Sequence, residues 1–108
     1  MTDTAVVTAY FEAIRARDAD RLGSLFSPDA ELVSGAGTFR GPEAIVGFYR
    51  DLVFQVEDLW PDPGPFEVAG DCVTVEIRLR MNGAISIVDD YFTLGEGTIT
   101  NLVIEPRS

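Results

Sequence analysis

The segment "CVTVEIRLRMNGAISIVDDYF", residues 72–92, contains Asn82-Gly83 between two runs in which apolar and polar residues alternate. Asn-Gly is the preferred pair for a two-residue type I′ turn, so the segment is predicted to form a β-hairpin in which Met81 faces Ala84. Pairing outward from the turn places every second residue on the same face. One face is then apolar apart from Ser86 and Asp90, and it carries Val73, Val75, Ile77, Leu79, Val88 and Phe92.

The two adjacent aspartates of this hairpin are predicted to lie on opposite faces. Asp89 lies on the mixed outer face within reach of Arg78, whereas Asp90 lies on the apolar face. An ionised carboxylate in an apolar layer costs several kcal/mol, so Asp90 needs donors, a proton or a wet cavity. Each of these options indicates a pocket. The alternatives are a register slip of one residue, or a structural aspartate bonded to a side chain of the first helix.

Helical spacing dominates the first half of the chain. Residues 3–18 ("DTAVVTAYFEAIRARD") carry an apolar stripe with Asp3 or Thr4 as the N-cap. Residues 18–29 predict a short second helix that Asp18 caps and Pro28 ends. Residues 41–53 predict a third, with Pro42 at its first position. The stripe of the first helix consists of Val7, Tyr10, Phe11 and Ile14.

From residue 54 onward, apolar residues tend to recur at every second position, which is typical of strands. The predicted strands are "FQVEDLW", "PFEVA" and the hairpin, followed by "TITNLVIE", and "WPDPGP" between the first two is predicted to be a loop. The second half is therefore expected to be an antiparallel meander. The whole chain, residues 1–108, is predicted to be one α+β domain with at most one pocket.

Composition excludes several function classes. Eighteen acidic and eight basic residues give a net charge of −10, which argues against nucleic-acid and membrane-surface partners. There is no histidine, so Ser-His and Cys-His machinery and the commonest metal ligand are absent, and no metal or cofactor is expected. The single cysteine, Cys72, is expected to be a core thiol. No export signal or membrane span is apparent, which favours a cytoplasmic location.

Three segments together resemble the nuclear transport factor 2-like superfamily, closest to its SnoaL-like and ketosteroid-isomerase-like branches. They are "AYFEAIRARDADRLGSLFSPDAELV", "FRGPEAIVGFYRDL" and "VDDYFTLGEGTITNL". The resemblance covers nearly the whole chain. It implies three N-terminal helices packed on a curved antiparallel sheet, forming a cone with one internal pocket on the face that carries Asp90.

The resemblance also implies roles for individual residues. Tyr10 matches the tyrosine that serves as an oxyanion donor in steroid isomerases, Asp90 matches their protonated aspartic acid donor, and Tyr49 matches a supporting tyrosine. Ser34 stands where those enzymes place the general-base aspartate, so steroid isomerisation by the usual mechanism is not expected. Asp90 and Tyr10 are thus the catalytic candidates. The ligand-binding candidates are Tyr49, Ser34, Phe26, Leu32, Phe48, Trp60, Val75, Ile77, Leu79, Val88 and Phe92.

Two functions remain open on these grounds. The chain is either an isomerase, cyclase or hydratase of an apolar carbonyl-bearing substrate, or a non-catalytic module that holds an apolar ligand. An Asp-Arg-Asp cluster of the epoxide-hydrolase kind is disfavoured because the hairpin arginines lie on the outer face. A homodimer is expected through that outer face, formed by Ile85, Ile87, Tyr91 and Arg78.

Overall fold

The computed structural model describes residues 4–107 and confirms the α+β class. Asp3, one of the two N-cap candidates, lies outside the described residues. The helices are α1 (Ala5–Ala16), α2 (Ala19–Ser24) and α3 (Pro42–Asp51), with a 3-10 helix at Val53–Gln55. The strands are β1 (Phe26–Ser34), β2 (Gly37–Arg40), β3 (Trp60–Ala69), β4 (Cys72–Met81), β5 (Ala84–Gly95) and β6 (Thr98–Pro106).

The six strands form one sheet in the order β2-β1-β6-β5-β4-β3. Strands β3 to β6 form the predicted antiparallel meander. The sheet as a whole is mixed and not antiparallel throughout, because β1 pairs with β6 in parallel. Parallel neighbours need a long crossover connection, and here α3 and strands β3 to β5 separate the two strands along the chain.

The hairpin register agrees with the prediction residue by residue. Met81 pairs with Ala84, and the ladder continues until Val75 pairs with Asp90. Asn82 and Gly83 have φ values of 54° and 78°, and positive φ at both central residues defines a type I′ turn. Asp90 is buried and faces the helices, so the alternative of a one-residue slip is excluded.

The three helices begin as the sequence predicts. Thr4 occupies the N-cap position of α1, although its side chain makes no capping hydrogen bond. The Asp18 carboxylate caps α2 by accepting the N–H of Arg21 at 3.0 Å, and Pro42 is the first residue of α3. Helix α1 buries the whole predicted stripe, namely Val7, Tyr10, Phe11 and Ile14.

Two segments differ from their predicted structure. Helix α2 ends at Ser24, and β1 begins at Phe26, so Phe26 is a strand residue. The predicted strand over residues 54–60 is instead a 3-10 helix followed by a loop. The predicted loop "WPDPGP" lies within β3. Prolines are tolerated there because β3 is an edge strand, whose outer side needs no ladder donors.

The inner face of the sheet and the apolar faces of α1 and α3 enclose the core. Cys72 is exposed and is not a core thiol, because it alternates with the buried Val73. Between residues 4 and 107, no helix has the length and apolar character needed to cross a membrane.

The outer face of the sheet leaves apolar side chains in solvent. Ile85 and Tyr91 are 56% and 39% exposed, respectively. Arg78 is exposed, and Ile87 is partly buried. These are the residues from which the homodimer was expected, and dimerisation stays a prediction.

Candidate functional site

An apolar cavity of about 360 Å³ lies between the helices and the inner face of the sheet. Helices α1 and α3, the segment after α3, and the hairpin half nearest its turn form the walls. The cavity is lined by Tyr10, Phe11, Ile14, Ser34, Gly35, Ala36, Phe48, Tyr49, Leu52, Val53, Leu59, Pro61, Ile77, Leu79, Met81, Val88, Asp90 and Ile104. Most of these side chains are aliphatic or aromatic, so the few polar groups determine how a ligand is oriented.

Asp90 supplies the carboxyl group of this cavity. Strand β5 holds it between its ladder partners Val75 and Ile104, and the residue is 3% exposed. Its Oδ1 atom is buried and accepts no hydrogen bond from residues 4–107. Burial raises the pKa of Asp90 to about 8, and the neighbouring negative charge of Asp89 contributes to the rise. The carboxyl group is therefore mostly protonated at neutral pH, with an accessible ionised form.

The hydroxyl groups of Tyr10 and Tyr49 form a hydrogen bond with each other beside Asp90. Both tyrosines are buried. Desolvation raises the pKa of each phenol, and the nearby Asp90 charge acts in the same direction. Both groups therefore stay protonated. The Tyr10 hydroxyl is therefore paired with the Tyr49 hydroxyl on α3.

Ser34 lines the cavity at the end of β1. Its Oγ atom accepts a hydrogen bond from the Ala36 N–H at 3.2 Å. A serine hydroxyl is not a base for carbon acids at neutral pH. Among the lining residues in the described part of the chain, Asp90 is the single carboxylate. Within the same residues, no group of three or more Cys, Asp or Glu side chains is placed to hold a metal ion.

The remaining predicted ligand-binding residues fall into three sets. Phe48, Ile77, Leu79 and Val88 line the cavity together with the polar groups. Trp60 lies outside the lining and is 46% exposed, with the Arg15 guanidinium 4.6 Å from its ring centroid. The others are core residues that do not line the cavity: Phe26, Leu32, Val75 and Phe92.

Distance from the turn explains why part of the inner face does not reach the cavity. Phe92 follows Asp90 on the same face, but the rings of Tyr10 and Phe11 cover it at centroid distances of 5.1 and 6.0 Å. The cavity therefore occupies the hairpin half nearest its turn, and the far half is packed core.

Several lining residues were not predicted. Ile14 follows Tyr10 by one turn on the same stripe, and Met81 continues the inner face of β4, so the same periodicities could have found both. Leu52, Val53 and Leu59 belong to the irregular segment after α3, where no local pattern indicated a cavity wall.

Comparison with known proteins agrees with this geometry. A family model described as a SnoaL-like domain matches residues 7–101. A protein from Sinorhizobium meliloti, described as a polyketide cyclase, is 26% identical, with 94% of each chain covered and a TM-score of 0.85. A protein with a ketosteroid isomerase-like fold from Catenulispora acidiphila, solved in complex with trimethylamine, is 25% identical over 96% of this chain and 85% of that chain, with a TM-score of 0.83.

Other solved structures are similar at lower identity. A SnoaL-like protein of unknown function from Burkholderia thailandensis is 17% identical, with both chains covered completely and a TM-score of 0.84. That likeness shows the fold alone. No curated protein matches the chain.

Proposed function

Because the chain belongs to the SnoaL-like family, we propose that its cavity binds an apolar, carbonyl-bearing small molecule and that Asp90 moves a proton on that molecule. The reaction class is isomerisation or cyclisation through an enol or enolate. The Sinorhizobium meliloti neighbour, described as a polyketide cyclase, supports this class.

The observation that carries the proposal is the buried Oδ1 atom of Asp90, which lacks a hydrogen-bond partner among residues 4–107. A buried polar atom without a partner costs about 1 to 3 kcal/mol. Folds retain such a cost mainly at functional sites. A ligand in the cavity would lie against this carboxyl group, so the missing partner is assigned to the ligand.

A count of hydroxyl hydrogens shows what the site offers to a carbonyl oxygen. Tyr10 and Tyr49 have one hydroxyl hydrogen each, and their mutual hydrogen bond uses one of the two. The other is free to donate. The protonated form of Asp90 supplies a further donor. Such donors stabilise an oxygen on which negative charge develops, more strongly in an apolar cavity than in water.

The proton transfer needs both forms of Asp90. The carboxylate removes a proton from the carbon next to the carbonyl group, and the free tyrosine hydroxyl donates a hydrogen bond to the resulting enolate oxygen. The protonated Asp90 then returns the proton to a different carbon in an isomerisation. In a cyclisation the enolate carbon first adds to a second carbonyl carbon of the same molecule, and Asp90 gives the proton to the alkoxide oxygen formed from that carbonyl group. A pKa of about 8 makes both forms available near neutral pH.

Exchange of the α-protons of β-tetralone in D₂O, followed by NMR, tests this step without knowledge of the natural substrate. The wild-type protein should accelerate exchange, and the Asp90→Asn variant should lose about 10²- to 10⁴-fold of the acceleration, as for the loss of a general base. The rate should rise with pH through about 8, since the carboxylate is the active form.

Asp89→Asn is the matched control, because Asp89 lies one residue away on the outer face. It should keep the acceleration, with the rise of the rate moved to somewhat lower pH because the Asp89 charge contributes to the raised pKa of Asp90. Equal loss in both variants, or no acceleration by the wild-type protein, would contradict the catalytic role of Asp90.

The second candidate is a non-catalytic binding protein, and the single carboxylate among the lining residues of the described chain favours it. Binding that uses protonated Asp90 as a donor should weaken as pH rises through about 8. This is opposite to the trend for catalysis. Titration with the carbonyl-bearing fluorophore Prodan distinguishes the two. Asp90→Asn should bind it as the wild type does, and Asp90→Leu should bind it more weakly.

A further inference from the structure

Residues 52–59, which connect α3 to β3, form a segment that we call the strap. Three of its residues line the cavity, namely Leu52, Val53 and Leu59. Its own backbone bonds are short-range and include Val56 N–H to Val53 O at 3.2 Å and Leu59 N–H to Val56 O at 3.3 Å. These two bonds lie within the strap, and Leu52 N–H donates to Phe48 O at the end of α3 at 3.2 Å. Beyond that end, side chains have to fix the position of the strap over the cavity.

Arg17, at the end of α1, holds one side of the strap. Its Nη2 atom donates to the carbonyl oxygens of Val56 at 2.7 Å and Glu57 at 2.9 Å, and its Nε atom donates to Phe54 O at 3.4 Å. One guanidinium thus joins three carbonyl groups of the strap to the helix that supplies Tyr10.

Asp58 connects the strap to the opposite wall. Its Oδ1 atom accepts the N–H of Asn82 at 2.7 Å, and its Oδ2 atom accepts the N–H of Gly83 at 2.8 Å. Both donors belong to the type I′ turn of the hairpin. The neighbouring Met81 lines the cavity. The strap is therefore bonded to the end of α1 through Arg17 and to the hairpin turn through Asp58, and it forms one wall of the cavity between them.

The backbone conformation of Arg17 indicates that its side chain is required at this position. Arg17 lies in the left-handed region with φ of 52° and ψ of 40°, after the last turn of α1. Glycine is the usual residue at this position of a helix, because a Cβ atom is unfavourable there. An arginine is understandable if its hydrogen bonds to the strap offset that cost.

We propose that Arg17 and Asp58 are positioning residues that hold the strap against the cavity, and that release of Asp58 from the hairpin turn widens the opening through which a ligand enters. Arg17 keeps the strap attached to α1 during this movement, because its three hydrogen bonds are made to strap residues that precede Asp58 and do not involve the hairpin turn. The entry of a ligand by this route rests on the proposed small-molecule function, whereas the opening itself does not.

Thiol labelling measures the opening without a ligand. In a Cys72→Ser background, which removes the exposed thiol, Leu59→Cys places a cysteine where the native side chain is 3% exposed. Ellman's reagent then reacts only when the strap opens. Adding Asp58→Ala should accelerate this labelling about tenfold, the factor expected from losing a hydrogen bond to a charged group. Asp58→Asn, which keeps an acceptor oxygen, should restore part of the protection.

A second reporter separates local opening from unfolding. Ala13 is fully buried on α1 and does not line the cavity, so Ala13→Cys reports exposure elsewhere in the fold. Its labelling should not change when Asp58→Ala is added. Asp62→Ala, at an exposed aspartate of β3, should change neither reporter. Equal acceleration at both reporters, or none at Leu59→Cys, would overturn the proposal.

Stopped-flow mixing with Prodan then tests access for a ligand. Asp58→Ala should raise the association and dissociation rate constants together, by about tenfold, because easier opening speeds movement in both directions. If labelling follows the prediction and wild-type protein does not bind Prodan, the strap opens as proposed and the small-molecule function is wrong. If Prodan binds and its association rate is unchanged in Asp58→Ala, the ligand does not enter past the strap.

Discussion

Asp89 and Asp90 are adjacent in the chain and lie in opposite environments. On the outer face, the Asp89 carboxylate accepts hydrogen bonds from Arg107, with Nη2 to Oδ1 at 2.5 Å and Nε to Oδ2 at 3.2 Å. The same guanidinium binds Glu76, at 2.5 Å, and these bonds raise the pKa of Arg107. On the inner face, Asp90 Oδ1 has no partner in the described chain.

The difference shows that position in the strand, not residue type, determines what a carboxylate does. An ion pair at the surface contributes little to the free energy of unfolding, because solvent screens it. A buried carboxyl group without a cation prefers its neutral form. One step along β5 therefore changes an aspartate from a surface ion-pair group into a group that exchanges a proton near neutral pH.

The largest expected effect is a pH dependence of stability that the buried Asp90 causes. The pKa of Asp90 is about 8 in the folded protein and near 3.8 when unfolded. The folded state therefore binds the proton more tightly. Its contribution to the free energy of unfolding is complete below about pH 4 and is lost as pH rises to about 8. The loss has an upper limit of about 6 kcal/mol.

Urea unfolding of wild type and Asp90→Asn at pH 5 and pH 9 checks this prediction. The wild type should be less stable at pH 9, and the variant should show little of that loss. Asp89→Asn should keep most of the wild-type dependence, because burial is the larger cause of the raised Asp90 pKa and the Asp89 charge the smaller one. A loss of the same size in Asp90→Asn would mean that other groups cause it.

The next effect contrasts Tyr91 with Phe92, which also face opposite sides of the sheet. Phe92 is 1% exposed and packs against the rings of Tyr10 and Phe11. Phe92→Ala should lower the free energy of unfolding by about 3 to 5 kcal/mol, the usual cost of a large core truncation. Tyr91→Ala should cost less than about 1 kcal/mol in the monomer. Urea denaturation at pH 6 gives both values, and similar losses would contradict the assignment of faces.

The inner face was predictable because its determinants are local. The Asn82-Gly83 turn sets the pairing, and alternation then places Asp90 inside and Asp89 outside. The partnership of Tyr10 with Tyr49 is different, because two helices 39 residues apart bring the hydroxyl groups together. The sequence linked Tyr10 with Tyr49 only through the family resemblance, in which Tyr49 matches a supporting tyrosine.

The strap was not predictable from local pattern. Its alternating Phe54 and Val56 resemble a strand, yet Val53–Gln55 form a 3-10 helix. Its position depends on Arg17 and Asp58, which bond to backbone groups far away in the chain. Hydrogen bonds from side chains to distant backbone leave no periodicity in the sequence, so this wall of the cavity required the structure.

The smallest expected effect concerns the outer face, where we predict an isologous homodimer. Ile85 and Tyr91 leave an apolar surface in solvent. Arg78 has no ion-pair partner within residues 4–107, although Glu76 and Asp89 lie on the neighbouring rung of the same face. A two-fold axis would place the guanidinium of one copy against the carboxylates of the other.

Sedimentation equilibrium tests this prediction against a closely matched control. Wild-type protein should be dimeric at tens of micromolar, a rough scale for an interface of ordinary size. Ile85→Asp should weaken the dimer by about tenfold or more, which corresponds to about 1.4 kcal/mol. Leu52 has the same 56% exposure but lines the cavity, so Leu52→Asp introduces the same charge away from the interface and should leave the dimer intact. If both variants weaken association equally, the added charge and not the outer face is responsible. A wild-type protein that stays monomeric would contradict the predicted homodimer.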